Sequence, residues 1–230
     1  MSVRRKNDEG SPHCDRRRQA PERSAGQLTA MSHRFVAIAL LLAGGGIRAD
    51  ESAGAIVAQA ALDQVGVTTN YDPAYRRLEF PNGDVPISTG VCADVVVRAL
   101  RETGLDLQQA LNIDMHAHFA AYPANWGLSR PDRNIDHRRV PNLRRWFQRK
   151  GWALAISDAA SDYAPGDVVS WALPNGRPHI GVVSNSRTAS GRPLVVHNIA
   201  YGARDEDVLF VWKITGHYRQ PVAAPGTSGA

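Results

Sequence analysis

The apolar positions of the chain change their spacing at Gly151. Before Gly151 they recur at helical intervals, and after it they cluster in short runs of β-branched and aromatic residues. The first pattern predicts helices over 51–66, from Ser88 or Thr89 to Gly104, from Asp106 to about Ala121, and from Pro141 to Gly151. The buried stripe of the second helix is predicted to hold Val91, Val95 and Ala99.

The C-terminal half reads as a series of strands. The segments are WALAIS, GDVVSWAL, HIGVVSN, LVVHNI and VLFVWKITGHYR, with turn sequences such as PNGRP between them. A short strand is also predicted near Arg76 to Phe80. Because helices come first and strands afterwards, we predict an α+β fold in which N-terminal helices pack on a C-terminal antiparallel β-sheet.

The N-terminal region is typical of an exported protein. Met31 and Arg34 precede an apolar run from Phe35 to Ala43, and small residues lead to Ala49. We therefore predict a cleavable signal peptide over 31–49 and a periplasmic or secreted protein, with no membrane span after signal removal. Polar, Arg-rich residues 1–30 are interpreted as a non-native or disordered upstream extension, 50–220 as the folded domain, and 221–230 as a disordered tail.

The positive charge of the chain lies in this N-terminal region. The net charge is +5, and the sequence after residue 49 holds equal numbers of basic and acidic residues. A basic domain would indicate a nucleic-acid partner. We therefore predict no nucleic-acid binding by the folded domain.

Cys92 is the only cysteine that remains if the segment with Cys14 is removed. An unpaired cysteine in an exported protein indicates a reactive thiol or intermolecular pairing, but it can equally be a small buried residue. Cys92 lies in the predicted first turn of a helix, the third helical position if Thr89 is the cap. Backbone N–H groups and the helix dipole at such a position lower the pKa of a thiol.

Histidines that could act as a base lie in the strand segments. His179 begins HIGVVSN, and His197 with Asn198 lies in the following segment, LVVHNI. Either His197 or Asn198 could orient His179, but alternate residues of a strand point to opposite faces, so only one of them can face the site. Asp94 is a secondary candidate. It could bond to the helix start or pair with an arginine or a substrate amine, although we favour a solvated carboxylate.

A metal site is the first alternative to a thiol site. Asp114, His116, His118 and His137 are the candidate ligands. On a helix, His116 and His118 point about 200° apart and cannot share a metal ion. We predict no metal and no other cofactor.

The order GVCADVVVRAL, APGDVVSW, HIGVVSN and VVHNI resembles the NlpC-type papain-like cysteine peptidases. More closely, GDVPISTGVCADVVVRALR, NIDHRRVPNL and GHYR resemble an exported bacterial family catalogued as a domain of unknown function, DUF1287. The resemblance implies a papain-like fold with Cys92 as nucleophile, His179 as base and His197 as orienting group, with Asn198 as second choice. The sequence departs from the broader family at Val91-Cys92-Ala93-Asp94, and it has no clear counterpart of the family's tyrosine upstream of the cysteine.

The resemblance also implies a function. An exported hydrolase of this type would cleave an amide bond through an acyl-enzyme, with peptidoglycan stem peptides as the expected substrate. Cys92 precedes His179 in the chain, which favours the hydrolase order over the permuted acyl-lipid enzymes. The alternative is a non-catalytic envelope-binding module that retains the fold. Arginines that could contact a charged stem peptide are Arg76, Arg77, Arg138 and Arg139.

Overall fold

The computed structural model of the chain describes residues 52–221. The predicted upstream extension, the signal peptide and all but the first residue of the predicted tail lie outside these residues. Within them the helices are α1 (Ala53–Leu62), α2 (Cys92–Arg101), α3 (Leu107–His118) and α4 (Val140–Arg149). The strands are β1 (Asn70–Tyr71), β2 (Thr89–Gly90), β3 (Ala153–Leu154), β4 (Val168–Ala172), β5 (Pro178–Arg187), β6 (Pro193–Asn198), β7 (Ala203–Glu206) and β8 (Lys213–Tyr218). None of the helices in this region is long and apolar enough to cross a bilayer.

The sheet formed by the C-terminal half has the order β3-β8-β4-β5-β6-β7, and every neighbouring pair is antiparallel. The predicted α+β fold, with helices packed on an antiparallel sheet, is confirmed. Strand β7 was not predicted, because its sequence Ala-Arg-Asp-Glu lacks the apolar alternation of a half-buried strand. The strand predicted near Arg76 to Phe80 is wrong, since that segment is irregular and β1 pairs instead with β2, in parallel.

The start of α2 differs from the prediction. Its cap is Val91, not Ser88 or Thr89, so Cys92 is the first helical residue. Thr89 is unable to cap the helix because it belongs to β2, and its hydroxyl donates to the Pro86 carbonyl (3.0 Å). Asp94 takes the capping role from inside the helix, since its carboxylate accepts a hydrogen bond from the Val91 N–H (2.6 Å).

Apolar clusters cover both faces of the sheet. Consecutive residues of a strand point to opposite faces. Accordingly, Ile180 and Val182 of β5 belong to the cluster that includes α1, α2, α3 and α4, whereas Val183 belongs to a second cluster with Trp171. Tyr163 and Leu209 help cover the second face, where Trp171 Nε1 donates to the Leu209 carbonyl (3.0 Å).

Helix α2 is the most enclosed element. Every residue from Cys92 to Leu100 is buried, because α1, α3, β5 and the segment around Asp136 all contact the helix. The predicted single stripe of Val91, Val95 and Ala99 is therefore too narrow. Complete burial also means that the polar residues of α2 need protein partners.

We expect the turn before β4 to depend on Gly166. Gly166 has φ +84°, and a Cβ at this position would collide with the Gly54 carbonyl oxygen in α1. Gly176 also has positive φ, but a Cβ there would meet nothing within 4 Å. Gly176→Ala should cost about 1–2 kcal/mol from the left-handed conformation alone. Gly166→Ala should lower the free energy of unfolding in urea by clearly more, and equal losses would contradict the close approach.

Candidate active site

Cys92 lies at the start of α2 and is held there by the parallel pairing of β1 with β2. The pair Tyr71–Gly90 ends two residues before the cysteine. The thiol is free, and the Cys92 side chain is buried. The backbone N–H groups of Cys92, Ala93 and Ile180 face the sulfur and would each stabilise a thiolate.

The thiol is nevertheless held in its neutral form. Burial raises the pKa of Cys92 to about 12, and the negative charge of Asp94 adds to this increase. The backbone N–H groups lower the pKa by less than burial raises it. The lowered pKa predicted from the helix N-terminus is therefore not observed, because the same helix is enclosed on all sides.

His179 and His197 form a pair on the face of the sheet opposite α2. His179 Nε2 lies 2.9 Å from His197 Nδ1, and both side chains are buried. The rings pack against Trp212, and His179 also lies against Trp171. Burial lowers the pKa of His179 to about 3, with a further contribution from His197. Burial also lowers the pKa of His197, so both imidazoles are neutral at neutral pH.

Asn198 faces the other side of the sheet. Its Nδ2 donates to the carbonyl of Gly90 (3.0 Å), and more weakly to that of Asn70 (3.4 Å). Because consecutive residues of a strand point to opposite faces, His197 contacts His179, whereas Asn198 contacts the segment that precedes Cys92. Asn198 supports the position of the cysteine rather than that of the imidazole.

The thiol and the imidazole pair meet at β5. The Ile180 N–H faces the sulfur, and Ile180 directly follows His179. Strand β5 pairs with β6 from Val182 to Arg187, so His179 and Ile180 precede the paired part of β5. Within residues 52–221, no hydrogen bond joins the Cys92 thiol to either imidazole. The structure therefore brings the residues to one section of β5 without a direct Cys–His bond.

A cleft of about 380 Å³ opens beside Cys92. Tyr71 lines it, because the β1–β2 pairing places Tyr71 next to Gly90. Tyr71 is therefore a tyrosine beside the cysteine that the sequence spacing did not reveal. The guanidinium of Arg139 stacks on Trp126 (4.2 Å to the ring centroid) and pairs with Asp136 (2.8 Å).

The interpretation of Asp94 as a solvated carboxylate is wrong. Asp94 is buried and forms a two-pronged ion pair with Arg138, with N–O distances of 2.9 and 3.0 Å. Arg138 also donates to the carbonyls of Ala74 (3.0 Å) and Asp72 (2.9 Å). The pair fixes the loop that carries Tyr71 against the start of α2.

Asp114, one of the candidate metal ligands, is held by other partners. The Asp114 carboxylate contacts Arg149 (2.7 Å), Lys150 (2.7 Å) and the Tyr122 hydroxyl (2.6 Å). In the part of the chain that the structure describes, no group of three or more His, Cys, Asp or Glu side chains is placed to hold a metal ion. Asp114 instead joins α3 to the end of α4.

Sequence reasoning missed Glu206 as a neighbour of the histidine pair. Its Oε2 lies 3.0 Å from His197 Nε2. Strand β7 brings it there, since Glu206 pairs in register with Val195 and Arg204 pairs with His197. The polar sequence of β7 gives no sign of a strand, so nothing in the sequence pointed to this contact.

A family model described as "Domain of unknown function (DUF1287)" matches residues 58–220. The chain belongs to the DUF1287 family. The matched region includes both histidines of the pair and Cys92, and the membership predicted from the sequence motifs is confirmed. Similarity to "Uncharacterized protein YijF" of Escherichia coli (strain K12) agrees with it, at 55% identity over 163 residues, which cover 71% of this chain and 80% of that protein.

Two solved structures are more distantly similar. They are NlpC1 and NlpC2 from Trichomonas vaginalis, with sequence identities of 11% and 14% and TM-scores of 0.42 and 0.41. Each match covers 73% of this chain but only 44% and 47% of the solved chains, so the chain spans less than half of their length. Membership of the DUF1287 family therefore rests on the family match and on the E. coli relative.

The Asp94–Arg138 pair should be essential to the stability of this DUF1287 domain. Asp94→Asn leaves the buried Arg138 charge without its counter-ion and should lower the free energy of unfolding by about 3–5 kcal/mol. Asp207→Asn is the matched control, because Asp207 pairs with Arg192 at the surface and should change stability far less. Urea denaturation of both variants measures the difference, and similar losses would contradict a buried, uncompensated charge.

The Cys92 thiol should be slow to alkylate at neutral pH. With Cys14 replaced by serine in the full chain, the rate of reaction with iodoacetamide reports Cys92 alone. Because the pKa is about 12, the rate should still rise above about pH 9, where an ordinary thiol with a pKa of about 8.5 approaches its plateau. The urea-unfolded chain supplies that ordinary profile. A plateau below about pH 8 in the folded protein would show instead that the thiolate already exists.

Proposed function

We propose that the domain is a cysteine hydrolase that cleaves an amide bond, with Cys92 as nucleophile and His179 as the base. The observation that carries this proposal is the position of the Cys92 sulfur at a helix N-terminus, beside a cleft and against the N–H of the residue that follows His179. A nucleophile needs a base and a group that orients the base. His197, at 2.9 Å from His179, supplies the orienting group.

The neutral state of both groups determines how the reaction starts. At neutral pH the thiol keeps its proton and both imidazoles are uncharged. The proton of Cys92 therefore passes to His179 as the sulfur attacks the carbonyl carbon, and no thiolate–imidazolium pair exists beforehand. Hydrogen bonds of this kind are often long in free enzymes and shorten when substrate binds, which agrees with the open Cys–His arrangement.

The remaining steps follow from the groups around the sulfur. The N–H groups of Cys92 and Ala93 can donate to the oxyanion of the tetrahedral intermediate. The imidazolium of His179 then gives its proton to the leaving amine as the C–N bond breaks. Water, deprotonated by His179, attacks the thioester, and the acid product leaves with the thiol restored.

Peptidoglycan stem peptides are the proposed substrate, and the periplasm or the cell exterior is the proposed location. The support is the family resemblance, together with the leader-like sequence before residue 50. The cleft agrees with a carboxylate-bearing peptide, since its lining includes Arg138 and Arg139 but no acidic side chain. Arg138 donates from Nε, Nη1 and Nη2 to Asp94 and to two backbone carbonyls. Arg139 pairs with Asp136 through Nη1, so its other donors are the ones that can reach a substrate carboxylate.

Digestion of purified cell-wall sacculi tests the proposal. The full chain should release muropeptides, and Cys92→Ala should abolish release because the nucleophile is absent. Cys14→Ala is the matched control and should retain full activity. His179→Gln should retain the fold and lose most of the rate, on the order of 10²–10⁴-fold. Release that survives Cys92→Ala would exclude the thiol mechanism, and no release by the wild type would exclude this substrate.

A non-catalytic envelope-binding module is the second candidate. The raised pKa of Cys92, near 12, and the lack of a thiol–imidazole bond within the described residues favour it. In that case the wild type and Cys92→Ala should cosediment equally with sacculi, and neither should release muropeptides. Cosedimentation and release measured on the same samples separate the two functions.

A further inference from the structure

Glu206, His197 and His179 form a continuous row behind the cysteine. Glu206 Oε2 lies 3.0 Å from His197 Nε2, and His197 Nδ1 lies 2.9 Å from His179 Nε2. These two contacts use both nitrogens of His197 and one nitrogen of His179, so His179 Nδ1 remains at the end of the row. The imidazoles are almost fully buried, while the Glu206 side chain is 38% exposed.

We propose that Glu206 is a positioning residue that fixes the tautomers of both histidines, so that His179 presents an unprotonated Nδ1 as the base for Cys92. The proposal rests on the proposed function, because it names the residue that prepares the base of the same reaction. Glu206 itself contacts neither the sulfur nor the cleft, and it acts through His197.

The tautomers follow from the donors and acceptors of a neutral imidazole. Such a ring carries one N–H and one lone pair, and an ionised carboxylate can only accept. Glu206 therefore favours the proton on His197 Nε2, which leaves the lone pair on Nδ1. The contact between His197 Nδ1 and His179 Nε2 then requires the proton on His179 Nε2. His179 Nδ1 is left with its lone pair, as a proton acceptor must be.

The surroundings of His197 Nε2 leave the Glu206 carboxylate to determine which nitrogen of His197 carries the proton. The nitrogen is buried, and apart from the Glu206 carboxylate no acceptor among residues 52–221 serves it. The carboxylate lies off the axis of a straight hydrogen bond, so the attraction is mainly electrostatic. The other charged groups of β7 beside His197 are Arg204 and Asp205, with opposite effects on its pKa. Arg204 also lies 3.8 Å from Glu206 Oε1, which helps to hold the carboxylate.

An opening leads to this end of the row. A cavity of about 230 Å³ is lined by His197, Tyr201, Arg204 and Glu206, among others. Water can therefore reach Glu206 without passing through the cleft beside Cys92, whose lining is a different set of residues.

The tautomers can be measured directly by ¹⁵N NMR of the full chain with labelled histidine. His179→Gln and His197→Gln assign the two rings. In the wild type at neutral pH, both rings should carry the proton on Nε2. In Glu206→Ala, His197 should shift toward the Nδ1–H form and His179 should follow, because their contact needs one donor and one acceptor. Asp207→Asn removes a neighbouring acid that pairs with Arg192 and should leave both rings unchanged. Unchanged tautomers in Glu206→Ala would overturn the proposal.

Kinetics on sacculi supply the second measurement. Glu206→Ala should lower kcat on the order of 10²-fold, as expected when a general base has the wrong tautomer. KM should stay the same, because Glu206 lies outside the cleft. Glu206→Gln keeps an acceptor oxygen and should show a smaller loss. An unchanged kcat in Glu206→Ala overturns the positioning role while Cys92-dependent release still stands. Absence of release by the wild type overturns the proposed function, and the NMR result then decides the tautomer assignment alone.

Discussion

The burial of the first turn of α2 is the constraint on which the rest of the structure depends. A helix start leaves backbone N–H groups without helical partners, and here the first turn is almost fully buried. Asp94 satisfies the Val91 N–H from within the helix, and Arg138 neutralises the buried carboxylate. Arg138 then uses its remaining donors on two carbonyls of the 72–74 loop. One ion pair thus fixes the helix, the loop and the wall of the cleft.

The same burial sets the electrostatics of the cysteine. The N–H groups at the helix start and on β5 stabilise a thiolate, but removal from water opposes it more strongly, and the pKa rises. On the other face of the sheet, burial acts on the histidines with the opposite sign and lowers the pKa of each. Both effects favour uncharged groups. A site of this kind can only develop charge during the reaction, so its donors must already be in place.

Local signals in the sequence predicted much of the fold. Asp106 caps α3 and Pro141 lies at the start of α4, as their residue types indicate. Strands β4, β5 and β6 were also predictable, because each contains a short run of β-branched or aromatic residues that is buried on both faces of the sheet. The α2 cap was not predicted, since Thr89 is taken up by a strand pairing with a segment far earlier in the chain. Strand β7 was missed because its residues are mostly polar, and only its pairing with β6 identifies it as a strand.

The candidate site was predictable in its residues but not in its contacts. Cys92, His179 and His197 could be named from motif order, whereas the direction of the thiol pKa depended on how completely α2 is enclosed. Alternation allowed one of His197 and Asn198 to face His179, and only the register of β5 with β6 decides which. Asp94 could be read as solvated because its partner, Arg138, lies 44 residues away in sequence. Contacts between residues so far apart in the chain leave no pattern in the local sequence.

The separation of the cleft beside Cys92 from the cavity at Glu206 has a consequence for access to the site. A peptide would occupy the helix side of the sheet, where the cleft lies, whereas the cavity at Glu206 belongs to the opposite side. A bound peptide that fills the first opening leaves the second uncovered. Water can then reach the partly exposed Glu206 carboxylate while a peptide occupies the cleft, so hydration of Glu206 and binding of the peptide do not compete for one entrance.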